Sequence, residues 1–313
     1  MNKNDAAKSG VNNTANSEAN MVNKSNRTRN PRVRSAMEAA MRIVFLFAAC
    51  ACVLCVGLIC AFLLANGVPA IAKIGPMQFL LGTRWKPGQD LYGTLPMILG
   101  SLYVTAGAVA IGVPIGVLTA AYLARFSNRS LYRVISPIIS LMAGIPSVVY
   151  GFFGMVALVP ISRLWFGAGK SVLTASILLG IMILPTVIRV SEAAIRAVPD
   201  SYYEGALALG ASHERGVFFA VLPAARSGIM AAIVLGIGRA IGETMAVIMV
   251  AGNQAVIPQS LADGVRTLTA NIALEMGYAA DLHREALIGC AVVLFVFILL
   301  INLLLSVVQR RRA

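Results

Sequence analysis

Long uncharged apolar runs alternate along this chain with short polar and basic segments, and the runs share a length close to that of a bilayer crossing. A hydrocarbon core is roughly 30 Å thick, which a helix crosses with about 20 apolar residues. Six stretches approach or reach that length: residues 43–65, 97–123, 137–159, 172–188, 229–250 and 286–308. The first carries no charge at all. Pro114 lies in the second, Gly144 and Pro146 in the third, and Pro185 near the end of the fourth. Membrane helices tolerate such residues where neighbours satisfy the freed backbone groups, so spans two to four are expected to bend or break. The pattern predicts an all-α integral membrane protein with six transmembrane helices.

Residues 1–34 read differently, being polar, Asn-rich and almost without large apolar side chains. Such a segment buries too little surface to offset ordering entropy, and a disordered basic tail is expected. Its basic stretch is too long for a secretory leader and leads into a full span. The expected division is a tail at 1–34, a first transmembrane helix at 35–66, a periplasmic loop at 67–96 and a five-helix core at 97–309.

Composition agrees with a bilayer as solvent: 58% of residues are hydrophobic and only 12% are charged, against about 25% charged in soluble domains. The net charge of +13 would suit a nucleic-acid binder, but its distribution argues against one. Eight of the 26 Lys and Arg lie in the first 42 residues, Arg310, Arg311 and Arg312 end the chain, and most others flank spans. With the N-terminus inside, 18 basic residues fall in cytoplasmic segments and seven in external ones, as the positive-inside rule requires. Both termini are therefore expected in the cytoplasm of a multi-pass inner-membrane protein.

The cysteines Cys50, Cys52, Cys55, Cys60 and Cys290 all sit in apolar stretches. Cys52 and Cys55 have CxxC spacing, yet no His or charged residue nearby could complete a metal shell or lower a thiol pKa. They read as lipid-facing or packing thiols, and no metal site, cofactor or catalytic residue is expected. His213 and His283 form no constellation with a nucleophile.

Two segments carry candidate chemistry. Residues 199–229 are too polar to cross a membrane and too patterned for a plain linker. Pro199 and Asp200 resemble a helix start, with Glu204 placed in the first turn where the helix dipole favours an acid. Gly210 would end that helix, and Pro223 would let the chain turn back into the bilayer. The second segment is GIGRAIGETMAV, residues 236–247. Arg239 and Glu243 are four residues apart and would share a helix face. Charges at membrane depth usually face a bundle interior. One reading is a structural ion pair; the other sets Arg239 against an anion or a gate, with Glu243 holding it. A planar guanidinium suits tetrahedral oxyanions, and Gly236, Gly238 and Gly242 would admit another helix or an ion close to the backbone.

The spacing Glu204-Gly205-Ala206, then Gly210, then Ala220-Val221-Leu222-Pro223 resembles the EAA loop of ATP-binding-cassette importer permeases, E-A-A-x3-G-x9-I-x-L-P. Gly205 and Ala220 depart from it without removing the helix–Gly–Pro framework. The stretches at 79–101, 144–154 and 238–244 are similar to the phosphate-specific permease of the PstC type. The external residues Gly82, Trp85, Pro87 and Gly93 favour that type over its PstA-type partner. The resemblance covers roughly residues 75–308. It implies a type I importer permease (MetI-like) fold, with the loop at 199–223 as a coupling helix docking on an ATPase. Glu204, Ala206, Gly210, Leu222 and Pro223 would then be the docking positions, and Arg239 and Glu243 the charged positions linked to phosphate passage. Implied partners are a homologous PstA-type permease, a dimer of ATPase subunits, a periplasmic phosphate-binding protein, phosphate itself and the lipid bilayer.

Residues 167–171, GAGKS, imitate the end of a phosphate-cradling P-loop. The motif's first Gly would fall at Leu164 and no strand precedes it, so ATP is expected to be hydrolysed by a separate chain. The external residues Arg84, Lys86, Arg163, Lys170, Arg266 and Arg284 either steer an anion-loaded binding protein or cap spans at the headgroups. The rival functions are import of another oxyanion, such as molybdate or sulfate, and autonomous secondary transport. The latter would need ion-coupling groups at the midplane, where only Glu243 qualifies.

Overall fold

A computed structural model describes residues 31–167 and 169–311, with side chains from residue 38 onward apart from positions 305 and 308–311. Most of the tail expected at 1–34 lies outside the described residues. The chain forms two compact units divided after Phe62.

The first unit is helical throughout its described part. Helix α1 (Pro31–Ile74) begins there, and of residues 38–62 all but Ala51 and Cys60 are exposed. An apolar surface on every side of a helix is what lipid accepts and water does not. Cys50, Cys52 and Cys55 are free thiols on that surface.

The second unit begins with the last turns of α1, which run to Ile74, beyond the apolar stretch that ended at residue 65. A short helix α2 (Pro76–Leu81) and a two-stranded hairpin, β1 (Trp85–Lys86) with β2 (Leu91–Tyr92), follow. Helix α3 (Leu95–Ala121) then passes through Pro114 and ends in a π-helical turn at Tyr122–Phe126. Helix α4 (Arg129–Gly144) is capped by the Asn128 side chain, which accepts from the Leu131 amide at 2.8 Å. Helix α5 (Ser147–Phe153) continues through a π turn, Gly154–Leu158, into α6 (Val159–Phe166). Helix α7 (Val172–Arg196) likewise runs unbroken through its proline, Pro185.

Beyond α7 come α8 (Asp200–Ala208), the single turn α9 (His213–Arg215), a π turn at Gly216–Val221 and the single turn α10 (Leu222–Ala224). Helix α11 (Arg226–Gly242) leaves that segment at 70°. Then follow α12 (Met245–Val250), α13 (Leu268–Glu275) and α14 (Asp281–Arg311). Among the described residues, five helices are long and apolar enough to cross a membrane, or six with the bent pair that ends in α11.

Two spans differ from their sequence outlines. The third crossing starts at Ser147 rather than at Pro137, because the chain breaks at Ile145 and Pro146 and leaves α4 as a separate amphipathic helix. The fifth is not one helix to residue 250: it breaks after Gly242 and resumes at Met245. Ile145 and Glu243, the residues at the two breaks, share the same backbone angles, φ −70° and ψ 127°.

Helices α3 and α7 form the centre of the second unit, and small residues let them approach closely. A Cβ at Gly107 would lie 2.3 Å from the Ser176 hydroxyl, and one at Gly112 would lie 2.7 Å from the Gly180 carbonyl. Around this seam Val104, Ala108, Leu178, Leu179, Ile183 and Val187 are fully buried. Small-residue seams of this kind supply dispersion contact where apolar burial alone gives no preference over lipid.

Candidate functional site

The loop at 199–223 is built from local signals that the structure realises with one adjustment. Pro199 is the N-cap of α8 and Asp200 its first-turn acid; Glu204 lies a turn further in and is exposed. Gly210 adopts φ +84°, and two hydrogen bonds close the helix there. The Gly210 amide donates to the Leu207 carbonyl at 2.9 Å and the Ala211 amide to the Ala206 carbonyl at 3.1 Å. These are the two bonds of a Schellman cap, so Ala206 and Gly210 are parts of one turn. Leu222 is half-buried and Pro223 is exposed.

The loop is fastened to the bundle by polar contacts. Arg125 at the end of α3 pairs with Asp200 at 2.9 Å. Tyr203 and His213 share a hydrogen bond of 2.7 Å, and the edge of the Phe126 ring meets His213 at 4.6 Å between centroids. The opposite side is open and apolar, a groove of roughly 470 Å³ lined by Ala206, Leu209, Ala211, Phe219 and Ala220 with Arg215 at its rim. Leu209 is 91% exposed and Phe219 80%. Side chains of that kind, left bare at the end of a bundle, suit a partner's surface better than water.

Arg239 occupies a different level. Helix α11 runs antiparallel to α7, with Gly228 against Ala194 and Gly236 against Val187 and Ile183. One turn further along, Arg239 therefore falls near the middle of α7. It is exposed on a face where Gly238 and Gly242 have open space around the position of a Cβ. Among the described residues no carboxylate pairs with it. It lies within electrostatic reach of the Tyr150 hydroxyl.

The expected Arg239–Glu243 face does not form, because the helix ends between them. Glu243 turns forward: its carboxylate accepts from the Ala246 amide at 3.1 Å and caps α12, while its carbonyl accepts from the Thr269 hydroxyl at 3.1 Å. The segments beyond the two breaks pack directly together. A Cβ at Gly151 would lie 2.9 Å from the Ala246 backbone and 2.7 Å from the Met249 sulfur. A guanidinium with no carboxylate partner among the described residues thus stands level with the middle of α7, beside two interrupted helices, and broken helices line substrate and ion sites in membrane transporters.

Residues 112–313 match the family of binding-protein-dependent transport system inner membrane components. YqgH of Bacillus subtilis, named a probable ABC transporter permease, is 38% identical over 255 residues, covering 80% of this chain and 81% of its own length. The chain belongs to that permease family. The phosphate transport system permease PstC of Haemophilus influenzae is 34% identical over 248 residues, 72% of this chain and 79% of the relative. Among solved structures, a chain of the inward-facing MetNI methionine transporter aligns with a TM-score of 0.54 at 23% identity, covering 76% of this chain and 98% of that one. A chain of a bacterial transporter involved in alginate import gives a TM-score of 0.54 at 16% identity, covering 88% and 99%. The MetI-like importer fold is therefore present. The protein is a permease subunit of an ABC importer in the inner membrane, and not itself an enzyme.

At the end opposite the 199–223 loop the permease holds a polar cluster that its sequence did not announce. Glu275 is buried, and its carboxylate accepts from the Trp85 indole at 2.8 Å and from Arg266 at 2.6 Å, with His283 Nε2 at 2.9 Å. Arg266 also donates to the Asn271 side chain and to the Asn253 carbonyl. Arg266 is therefore spoken for and does not belong with Arg84, Lys86, Arg163, Lys170 and Arg284, which are exposed. Three side chains converge on one carboxylate, Arg266 and His283 from nine and eight residues away and Trp85 from 190 residues away, a long-range contact that no local pattern encodes. Beside it, burial and the Asp90 carboxylate push the Tyr92 phenol above its usual range, so it remains a donor to Asp90.

Proposed function

We propose that this permease imports inorganic phosphate. In this reading an external phosphate-binding protein delivers the anion, a homologous PstA-type permease completes the pathway, and a dimer of ATPase subunits docks on the cytoplasmic loop at 199–223. Glu204, Ala206, Gly210, Leu222 and Pro223 would form the docking element, with both chain termini on the same cytoplasmic side. ATP binding would close the ATPase dimer and rock the two permeases between inward- and outward-facing states.

The observation that carries this reading is the unpaired guanidinium of Arg239, held at mid-height on an open face beside two helix breaks. An uncompensated charge there is costly in lipid and useful only if an anion meets it. Its planar fork matches a tetrahedral oxyanion, and several relatives of similar sequence are named for phosphate transport. Glu243 is assigned a supporting role, keeping α12 capped so that the break beside Arg239 stays open.

The test is ATP-driven uptake of labelled phosphate in vesicles holding the complete complex, with Arg239→Ala beside wild type and with sulfate and molybdate as competitors. Uptake by wild type, lost in Arg239→Ala while ATP hydrolysis persists, supports the reading. No phosphate uptake, with ATP-driven uptake of labelled molybdate or sulfate instead, would reassign the solute to another oxyanion. Phosphate uptake that continues without the ATPase would remove the importer mechanism altogether.

A further inference from the structure

The 199–223 loop and Arg239 are far apart along the bundle, and an importer must make one respond to the other. A set of polar contacts runs from the loop to the helix break that adjoins Arg239. It starts at α8, where Asp200 pairs with Arg125 at 2.9 Å. Arg125 also donates to the Ile195 and Val198 carbonyls at the end of α7. From that end Arg196 reaches back to the Leu123 carbonyl at 2.9 Å and stacks 4.8 Å above the Tyr132 ring of α4.

Glu192 sits at the centre of this set. Its side chain is only 5% exposed, and it pairs with Arg196 at 2.9 Å and with Arg189 at 3.5 Å. Arg189 in turn grips α4, donating to the Ser136 hydroxyl at 3.0 Å and also to the Ser136 carbonyl and the Ser140 hydroxyl. Helix α4 has one fully buried residue, Ile139, with Ile135 and Tyr132 partly buried against the same core, and the Arg189 contacts add a polar grip to that apolar seat. It ends at the first break, where the Tyr150 hydroxyl donates across the gap to the Met142 carbonyl at 2.9 Å. Tyr150 and Ile145, at that break, pack in the same buried core as Ala240, the neighbour of Arg239 on α11.

A carboxylate buried between two guanidiniums is an expensive arrangement to keep for packing alone, and its best-attested use is to fix geometry or switch it. We propose that Glu192 is a positioning residue that aims Arg189 and Arg196 as a paired clamp on α4, so that displacement of the 199–223 loop is carried through α4 to the helix break beside Arg239. The clamp touches neither solute nor nucleotide. It adds a polar tie to the apolar seat formed by Tyr132, Ile135 and Ile139, so that α4 follows α8. The inference rests on the reading that the 199–223 loop meets the ATPase, but not on the identity of the solute.

The test follows from that independence. The complete complex is reconstituted with this chain's cysteines replaced, and spin labels are placed at exposed positions: Leu118 on α3 as reference, with either Ser201 on α8 or Leu141 on α4. Distances are measured by pulsed electron paramagnetic resonance with and without trapped nucleotide. In the otherwise unaltered chain both distances should shift on trapping. In Glu192→Gln and in Arg189→Gln the α8 shift should persist and the α4 shift should fall by at least half. The retained α8 shift shows that each variant is folded and assembled. An α4 shift of full size in both variants overturns the clamp while leaving the loop reading intact. Absence of an α8 shift in the unaltered chain overturns the loop reading and the clamp together. Failure of phosphate uptake would appear only in the vesicle assay.

Discussion

Two glycines, Gly205 inside α8 and Gly210 just beyond its end, make opposite demands on a side chain. Gly210 has φ +84° with nothing within 4 Å of its Cβ position. A substitution there meets only backbone strain, about 1 kcal/mol for Ala in the left-handed region. Gly205 lies inside α8 at ordinary helical angles, also with open space around it. Alanine at that position should stabilise the helix by about 0.5–1 kcal/mol. Thermal unfolding of the purified permease should therefore move down for Gly210→Ala and up for Gly205→Ala. Equal shifts of one sign would contradict the capping geometry. The helix–Gly–Pro spacing was readable because a Schellman cap is local: it needs a residue of positive φ just past the last turn of the helix. Glu204's exact place was not, since Asp200 already occupied the first turn.

Elements broke at one place the sequence marked and at another it did not. Pro146 marked the third span as liable to interruption, and the chain does part there, while Pro114 and Pro185 lie in helices that continue. Nothing near Gly242 forbids a helix. That break depends on Glu243 capping α12 and on the Thr269 hydroxyl 26 residues onward, a tertiary contact without a local signature. The Glu275 cluster was hidden for the same reason. Its energetics are testable at this scale, because it ties the β1–β2 hairpin and the segment around Arg266 to α13 and α14. Glu275→Gln leaves the largely buried Arg266 without its counter-charge and should cost about 3 kcal/mol. Trp85→Phe removes one hydrogen bond and should cost about 1 kcal/mol. Thermal unfolding in detergent, compared between the two variants, checks the order; a larger loss from Trp85→Phe would mean that ring packing, not the carboxylate, holds the hairpin.

The whole molecule presents two unlike ends, and the reading of its function depends on which side each faces. Helix α7 fixes their separation: the Ser171 and Val172 amides bond to the Val250 and Asp263 carbonyls at one end, while Arg196 reaches the 199–223 loop's neighbours at the other. With 25 residues in α7 and about 1.5 Å per residue, the ends lie about 37 Å apart, enough to span a hydrocarbon core. In the proposed orientation the loop faces the cytoplasm, which the gathering of Arg125, Arg129, Arg133, Arg189, Arg196, Arg215 and Arg226 at that end favours. Gly88 at the tip of the hairpin region has open space around it, and Leu209 is 91% exposed. In a background with the native cysteines replaced, Gly88→Cys should react with a membrane-impermeant thiol reagent in intact cells. Leu209→Cys should react only after the membrane is opened. The reverse pattern would put the apolar groove outside the cell, where no ATPase could reach it, and would require the charge asymmetry to be explained by something other than orientation.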